Sequence, residues 1–485
     1  MKKFIIWCIL AQLLFSCDFL FDNQDSDGEK KFWATNMRTG ENYQLKAELL
    51  ASGSYCNVWV EKGSGVTEDT AKKMADEYDY NIYQKMIDNF SVRDFSVSGY
   101  KFSNIMQYAD AATDRDGKLT ILLLDIKDDY QRGVNDSYYG GYFWAVNLVG
   151  YDPVYPITRY SNLCDMIYID TNPGMSTDEM KKEAYSTLAH EMQHLMNFMS
   201  TVLYRKSAMD TWIDEGLSAA AEYVYAGESK DRMDWFNNNG AINNSGAKVM
   251  SGLIDKGNNF FVWGNRTSEN QYALLDDYAT VYLFFQWLKL QGSSDIYKKI
   301  ISSENSDYNA VVKNISGYDK WDSLLETWLA ANRINAPGGQ FGYKGALTVK
   351  ATYVPEKVTS VQLYPGEGVY SLASSNPNVN SSGNIVYKFI TGNVVNPGYS
   401  ANSTLLTYNK STTLAYDKDD NLTTTPDSGV TTGAAPPASV DIAFSEGRSA
   451  RPFNGPYRID SGNFLRRDIS GMDFSGLLKG LEADE

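Results

Sequence analysis

The sequence predicts an α+β fold in which a mixed-sheet lobe is followed by a helical lobe and then by a small β-sandwich-like domain. Three patterns carry this prediction. Strand-like runs accompany a long helical pattern up to about residue 175, helical patterns dominate residues 176–335, and short alternating apolar runs separated by turn residues occupy residues 340–445. A chain of 485 residues is long enough to bury a substantial core.

The first lobe is predicted to combine one helix with several strands. The helical pattern runs from Glu68 to Phe90. The strand-like runs cover residues 58–61, 119–126, 142–148 and 166–170.

The helical lobe is predicted to begin at Ser176 or Thr177, either of which suits a helix N-cap and precedes acidic residues. The two histidines of the whole chain, His190 and His194, lie in this helix on either side of Glu191. Residues at i and i+4 share one helix face, so both imidazoles can reach a single Zn²⁺. This H-E-x-x-H arrangement indicates a zinc-dependent hydrolase, whereas the alternative is a helix whose histidines only pack.

A catalytic zinc needs a third protein ligand, and the sequence has no third histidine to supply it. The ligand must be a carboxylate or a thiolate. A second predicted helix, residues 211–225, carries Glu215, with Ser218 and Glu222 on the same side. One of its acids would bind the metal and another polar group would support the histidines. Cys56 and Cys164 are further candidates, although no local motif surrounds them.

The segments 188–194 (LAHEMQH) and 212–218 (WIDEGLS) resemble the gluzincin peptidases, and specifically the hyicolysin family of bacterial neutral metalloproteases. Other strings agree with that family, and the resemblance covers about residues 31–335; the strings are residues 32–36, 58–61, 75–79, 82–83, 121–126 and 140–144. One position departs from the thermolysin-like pattern, because Ala219 stands where an aspartate is usual. Support for the histidines must therefore come from another residue.

The resemblance implies a gluzincin-type zinc endopeptidase with a zinc-binding active-site helix. Glu215 would be the third ligand, and Glu222 the rival. Glu191 would act as the general base that activates a zinc-bound water. The sheet would border the cleft, and residues 142–147 would form the edge strand to which an extended protein or peptide substrate adds.

The tetrahedral oxyanion needs a second donor, and with both histidines in use a tyrosine is implied. Related gluzincins place such a tyrosine on a helix after the glutamate ligand, which favours Tyr278 within residues 276–288. Tyr282, one turn later, is the alternative. Both would otherwise be packing residues of an aromatic helix.

The N-terminus has the pattern of a bacterial lipoprotein signal peptide. Lys2 and Lys3 precede a short apolar run, and residues 14–17 (LFSC) resemble a lipobox. Residues 1–16 would be removed, and Cys17 would be acylated as a membrane anchor on the cell envelope. Acidic residues 17–30 would form a flexible tether before the metallopeptidase domain of residues 31–335. The alternative is an ordinary secretory signal peptide.

Charge and cysteine content restrict the partners further. The formal net charge of −16 argues against binding to nucleic acid and against electrostatic adhesion to anionic lipid. Once Cys8 leaves with the signal and Cys17 is acylated, Cys56 and Cys164 remain. These two either pair in an oxidising compartment or stay buried thiols.

The last part of the chain is less informative about function. Residues 340–445 are predicted to form the β-rich accessory domain, and residues 446–485 a C-terminal tail that is either a docking strap or mobile. Residues 114–117 and 417–421 are rich in aspartate and suggest structural Ca²⁺, but neither completes a calcium-loop pattern and ordinary turns explain both.

The sequence therefore predicts a lipid-anchored zinc endopeptidase that acts on proteins or peptides outside the cytoplasm. A non-catalytic zinc-containing surface lipoprotein, such as an adhesin or binding protein, is the competing hypothesis. The presence of Glu191 favours catalysis, because a scaffold needs only the metal ligands. A purely structural zinc would favour four protein ligands, and the chain has few cysteines and histidines to provide them.

Overall fold

The computed structural model describes most of the chain between residues 24 and 460. The described residues are 24–25, 28–97, 99–132, 134, 137–227, 229–242, 245, 247–263, 270, 272–355, 358–373, 376–377, 379–390, 404–416, 422–431 and 457–460. The predicted signal peptide, Cys17, the aspartate-rich residues 417–421 and most of the predicted tail lie outside them.

The strands and helices follow the predicted order of a sheet lobe, a helical lobe and a β-rich region. The strands are β1 (Gln24–Asp25), β2 (Glu29–Thr35), β3 (Asn42–Ser52), β4 (Cys56–Glu61), β5 (Phe95–Val97), β6 (Tyr100–Phe102), β7 (Leu119–Leu124), β8 (Ser137–Phe143), β9 (Met166–Asp170), β10 (Gly240–Ile242), β11 (Lys248–Ser251), β12 (Ser360–Leu363), β13 (Gly368–Leu372), β14 (Ile385–Ile390), β15 (Thr404–Asn409), β16 (Asp427–Val430) and β17 (Tyr457–Asp460). The helices are α1 (Glu68–Glu77), α2 (Tyr83–Phe90), α3 (Ile105–Ala112), α4 (Asp178–Phe198), α5 (Thr211–Ala226), α6 (Lys230–Asn238), α7 (Ala273–Gln291), α8 (Ile296–Ile301), α9 (Tyr308–Val312) and α10 (Trp321–Ile334).

The sheet lobe is built on an eight-stranded mixed sheet with the order β1-β2-β3-β4-β7-β9-β8-β17. Its central strands β4, β7 and β9 are parallel, and β8 runs antiparallel to β9. Both β7 and β9 are buried along their whole length, as expected for apolar strands covered on two faces. The mixed α+β architecture is consistent with the predicted fold class.

Two predicted helices of the first half are confirmed with small changes. Residues 68–90 are helical throughout, but a π-helical turn, Tyr78–Ile82, separates α1 from α2. The long helix α4 begins after Thr177, whose side chain accepts a hydrogen bond from the amide of Met180. The predicted N-cap is thus the observed one.

One strand prediction is wrong in its second half. Residues 142–148 were expected to be extended, but β8 ends at Phe143 and Ala145–Leu148 form a 3-10 helix. The apolar pattern of these residues reflects their burial, and a buried strand and a buried non-strand segment have the same apolar pattern. The Asn147 side chain, fully buried, donates to the Tyr168 hydroxyl at 3.0 Å and fixes that turn. Residues 137–141 of β8 are not a free edge, because β17 pairs with them, whereas this pairing does not reach residues 142–143 of the predicted edge strand.

The helical lobe packs α5 against both α4 and α7. Gly216 permits the second contact, because a Cβ at that position would lie 2.2 Å from a ring carbon of Phe285 on α7. Among the described residues, no helix combines the length and the apolar character needed to cross a bilayer.

The β-rich region consists of a three-stranded sheet, β13-β15-β14, and a strand pair, β12-β16. It is joined to the helical lobe by hydrogen bonds to α10. The Tyr408 hydroxyl lies 2.7 Å from a carboxylate oxygen of Asp322 and 2.9 Å from one of Glu326, and the Tyr370 hydroxyl donates to the carbonyl of Leu329. That residues 340–445 form a separate domain is still only a prediction.

Candidate metal centre

The two histidines and the glutamate between them lie together in the core. His190, Glu191 and His194 are all fully buried on α4. The Nε2 atoms of the histidines are 3.1 Å apart, because their side chains leave the same helix face one turn from each other. This places two imidazole nitrogens where one metal ion can bind both.

Glu215 completes a triangle of donor atoms. Its Oε2 lies 3.3 Å from Nε2 of His190 and 3.4 Å from Nε2 of His194. Ligand atoms of a tetrahedral zinc with bonds of about 2.0–2.1 Å are roughly 3.3 Å apart, so these three positions fit one zinc ion. Glu215 comes from the first turns of α5, which crosses α4 at this point.

Glu191 also lies close to the two histidines. His190, Glu191 and His194 each have a donor atom within 4.8 Å of the others. However, Oε2 of Glu191 accepts a hydrogen bond from the amide of Phe143 at 2.8 Å, which holds that carboxylate against the end of β8. The distances of 3.3 and 3.4 Å from Oε2 of Glu215 to the two histidines make Glu215 the better candidate for the third ligand.

The far side of each imidazole is held by a residue of α5. Nδ1 of His190 is 2.8 Å from Oε1 of Glu222. Nδ1 of His194 is 2.8 Å from Oγ of Ser218 and 3.3 Å from a carboxylate oxygen of Asp214. A proton on each Nδ1 leaves the lone pair of Nε2 directed at the metal position. Glu222, the rival ligand in the sequence, thus lies on the side of His190 away from the donor triangle.

Arg232 is part of the same buried network. Its Nη2 lies 3.3 Å from Oε1 of Glu222, and its guanidinium carbon is 4.5 Å from the ring centroid of Tyr278. The side chain is 8% exposed, so the interaction is shielded from water. Arg232 therefore connects the carboxylate behind His190 with the ring of Tyr278.

The two candidate tyrosines lie in different surroundings. Tyr278 is buried, with its ring centroid 6.4 Å from that of His190 and 5.2 Å from that of Trp263. Tyr282 is also buried, and its hydroxyl accepts a hydrogen bond from the amide of Ser229 at 2.8 Å. Of the two, Tyr278 is the one whose ring lies beside a histidine of the site.

Sequence reasoning did not identify Arg232, Asp214 or the Phe143 amide as parts of this site. Arg232 lies on α6 without a recognisable motif, and a backbone amide leaves no trace in residue identity. Asp214 was visible as the neighbour of Glu215. Its contact with His194 nevertheless depends on how α5 is rotated against α4, which spacing alone does not determine.

The other predicted ligand groups are not part of this centre. Cys56 and Cys164 are buried free thiols. Of the two predicted alternatives for this pair, the structure therefore has the buried thiols and not the disulfide, and neither thiol is a ligand of this centre. Burial raises the pKa of both thiols. The carboxylates of Asp110, Asp114 and Asp116 lie within 4.8 Å of one another at the suggested calcium turn.

Those acids serve the turn itself. Oδ1 of Asp116 accepts from the amide of Lys118 at 2.8 Å, and its Oδ2 accepts from the side chain of Asn57 at 2.9 Å. Asp110 accepts from the amide of Gly117. The interpretation as an ordinary turn is therefore favoured over calcium binding.

Comparison with known proteins agrees with the geometry. No protein-family model matches the chain. The neutral metalloprotease ShpI of Staphylococcus hyicus is 30% identical to it over 336 residues, which cover 67% of each of the two chains. Together with the buried His-Glu-His group, this similarity shows that the chain belongs to the neutral metalloprotease family and is a metallopeptidase.

Proposed function

We propose that the chain is a gluzincin-type zinc endopeptidase in which His190, His194 and Glu215 hold the metal. The observation that supports this most directly is the triangle of their donor atoms, with sides of 3.1, 3.3 and 3.4 Å. Three protein ligands are typical of catalytic zinc, which keeps a further position for water or substrate. A zinc ion held there supplies a Lewis acid and lowers the pKa of water toward about 7.

Glu191 is proposed as the general base. Its carboxylate accepts a proton from the attacking water and passes it to the leaving nitrogen of the cleaved peptide bond. The amide of Phe143, 2.8 Å from Oε2, orients the carboxylate for this transfer. Because Glu191 is fully buried, its proton transfer takes place away from bulk solvent.

Tyr278 is proposed as the donor to the developing oxyanion. Its ring is placed between His190, Trp263 and the guanidinium of Arg232. A phenol hydroxyl donates a hydrogen bond to an oxyanion without a change in its own charge. The packing of Arg232 against the ring face restricts the directions in which the hydroxyl can point.

The substrates are proposed to be proteins or peptides outside the cytoplasm, reached by an enzyme anchored through Cys17 to the cell envelope. The support is the signal-like N-terminus and its lipobox-like end. Replacement of Cys17 by Ser tests the anchor. We expect the full-length protein in the membrane fraction and the variant in the soluble fraction; equal partition of both would contradict lipidation.

The proposed activity is tested by zinc content and casein cleavage, both measured on purified residues 18–485. We expect one zinc per chain, and cleavage that a chelator abolishes and added zinc restores. Protein without zinc, or cleavage that continues in the chelator, would contradict the proposal. Bound zinc without cleavage of any protein would favour the binding-protein hypothesis.

A further inference from the structure

Strand β17 occupies the side of β8 that faces away from the rest of the sheet. The two strands are parallel, with Tyr457 opposite Ser137 and Ile459 opposite Tyr139. The pairing ends with Asp460 opposite Gly141. Strand β9 pairs with residues 141–143 on the other side of β8, so the two partners overlap at Gly141.

Strand β8 leads directly to the proposed general base. Phe143, two positions after Gly141, donates its amide proton to Glu191. Because β17 is parallel to β8, the chain at Asp460 points the same way as β8 does when it reaches Phe143. The C-terminal segment is thus aligned along a strand that ends at the candidate metal centre.

The centre itself is closed to solvent. His190, Glu191, His194 and Glu215 each have 0% of their surface exposed. An endopeptidase must bring a substrate backbone within hydrogen-bond distance of its general base. Substrate entry therefore requires some part of this arrangement to move.

We infer that β8 is a binding surface for an extended main chain and that residues 457–460 of the same chain occupy it, so that the full chain is a latent form. This inference rests on the proposed peptidase function. Pairing along a strand uses backbone groups, so a substrate segment can replace β17 without matching its side chains. Substrate and C-terminal segment then compete for one surface.

The position of β17 suits a segment that leaves without disturbing the fold. It is an end strand, and β8 is its one strand partner among the described residues. Residues 431–456 connect it to β16, a length that allows β17 to separate while β16 stays paired with β12.

Proline substitutions in the full chain test the inference. Successive residues of an edge strand alternate in the direction of their N–H groups, so one of Arg458→Pro and Ile459→Pro removes a hydrogen bond to β8. We expect at least one of them to raise kcat/KM on a peptide substrate by about tenfold, if the open form is about a tenth of the full chain. The same variant should show faster hydrogen exchange at the amides of residues 137–141.

Ser470→Pro is the matched control, because it introduces the same residue outside β17 and should change neither measurement. The inference is overturned if the full chain cleaves its substrate while neither proline variant exceeds it, or if cleavage rises without faster exchange in β8. The proposed function fails separately, if neither the full chain nor any variant with bound zinc cleaves peptide. Exchange in β8 reports on the pairing even in that case.

Discussion

Glu222 and His190 are joined by a short contact of 2.8 Å between Oε1 and Nδ1, on the side of the imidazole away from the donor triangle. Both side chains are buried, so the contact is not weakened by water. The carboxylate fixes the proton on Nδ1 and keeps Nε2 available as a ligand atom. In the proposed metal site, Glu222 thereby supports His190 from the side opposite the donor triangle.

Replacement of Glu222 by Gln is predicted to weaken zinc binding by about 10–100-fold, because a neutral amide holds the imidazole less firmly than a carboxylate does. The measurement is the zinc dissociation constant, obtained by competition with a chelator. Glu77→Gln is the matched control, since Glu77 accepts a hydrogen bond from Tyr225 at 2.8 Å outside the centre. Equal zinc affinity in the two variants would show that Glu222 does not support the ligand.

Replacement of Glu191 by Gln is predicted to keep the zinc and to lower kcat by about 10²–10⁴-fold, because the amide cannot accept the proton. Zinc content and the rate of peptide cleavage are measured on the same preparation. His190→Ala serves as the contrast and should lose metal and activity together. Unchanged cleavage by the Gln variant would exclude Glu191 as the general base.

The sequence predicted the metal-binding helix well because its information is local. Helical periodicity alone brings His190 and His194 to one face, and the N-cap at Thr177 is a short-range pattern. The roles of the two glutamates on α5, by contrast, do not follow from local sequence patterns. Glu215 and Glu222 lie on the same side, and the packing of α5 on α4 decides which of them meets Nε2 and which meets Nδ1.

The remaining differences come from contacts between distant parts of the chain. The pairing of β17 with β8 joins residues more than 300 positions apart, and no local pattern in the last forty residues indicates a strand there. Arg232 is buried in the site through contacts with α5 and α7, although its own segment is polar. Neither relationship can be derived from periodicity or spacing.

Tyr278→Phe is predicted to lower kcat by about 10²–10³-fold with little change in KM, because the hydroxyl is proposed to act on the oxyanion. Tyr282→Phe is the control on the same helix. Its hydroxyl bonds the amide of Ser229, so its loss should cost about 1 kcal/mol of stability and leave kcat nearly unchanged. The assignment would be wrong if the two variants had the same kcat, or if Tyr282→Phe had the lower one.

Asp170, at the end of β9, is predicted to make the folding stability depend on pH. It is fully buried, and burial raises the pKa of its carboxyl to about 7, although the amides of Gly174 and Ile126 donate to it and oppose the shift. The folded state therefore holds this proton more tightly than the unfolded state, where the pKa is about 3.9. The stabilisation that this group provides at low pH is lost as pH rises from about 4 to about 7.

The substitution Asp170→Asn removes the titrating carboxyl group while keeping one acceptor oxygen. We expect the variant to be less stable than the parent protein at low pH. As pH rises, the free energy of unfolding of the variant should fall less than that of the parent. Free energies of unfolding by urea, measured for both proteins at about pH 5 and about pH 8 in a chelator, give the comparison. The chelator removes the pH dependence of metal binding to the histidines. The gap between the parent and the variant should narrow or reverse toward pH 8; a gap independent of pH would mean that Asp170 does not titrate in this range.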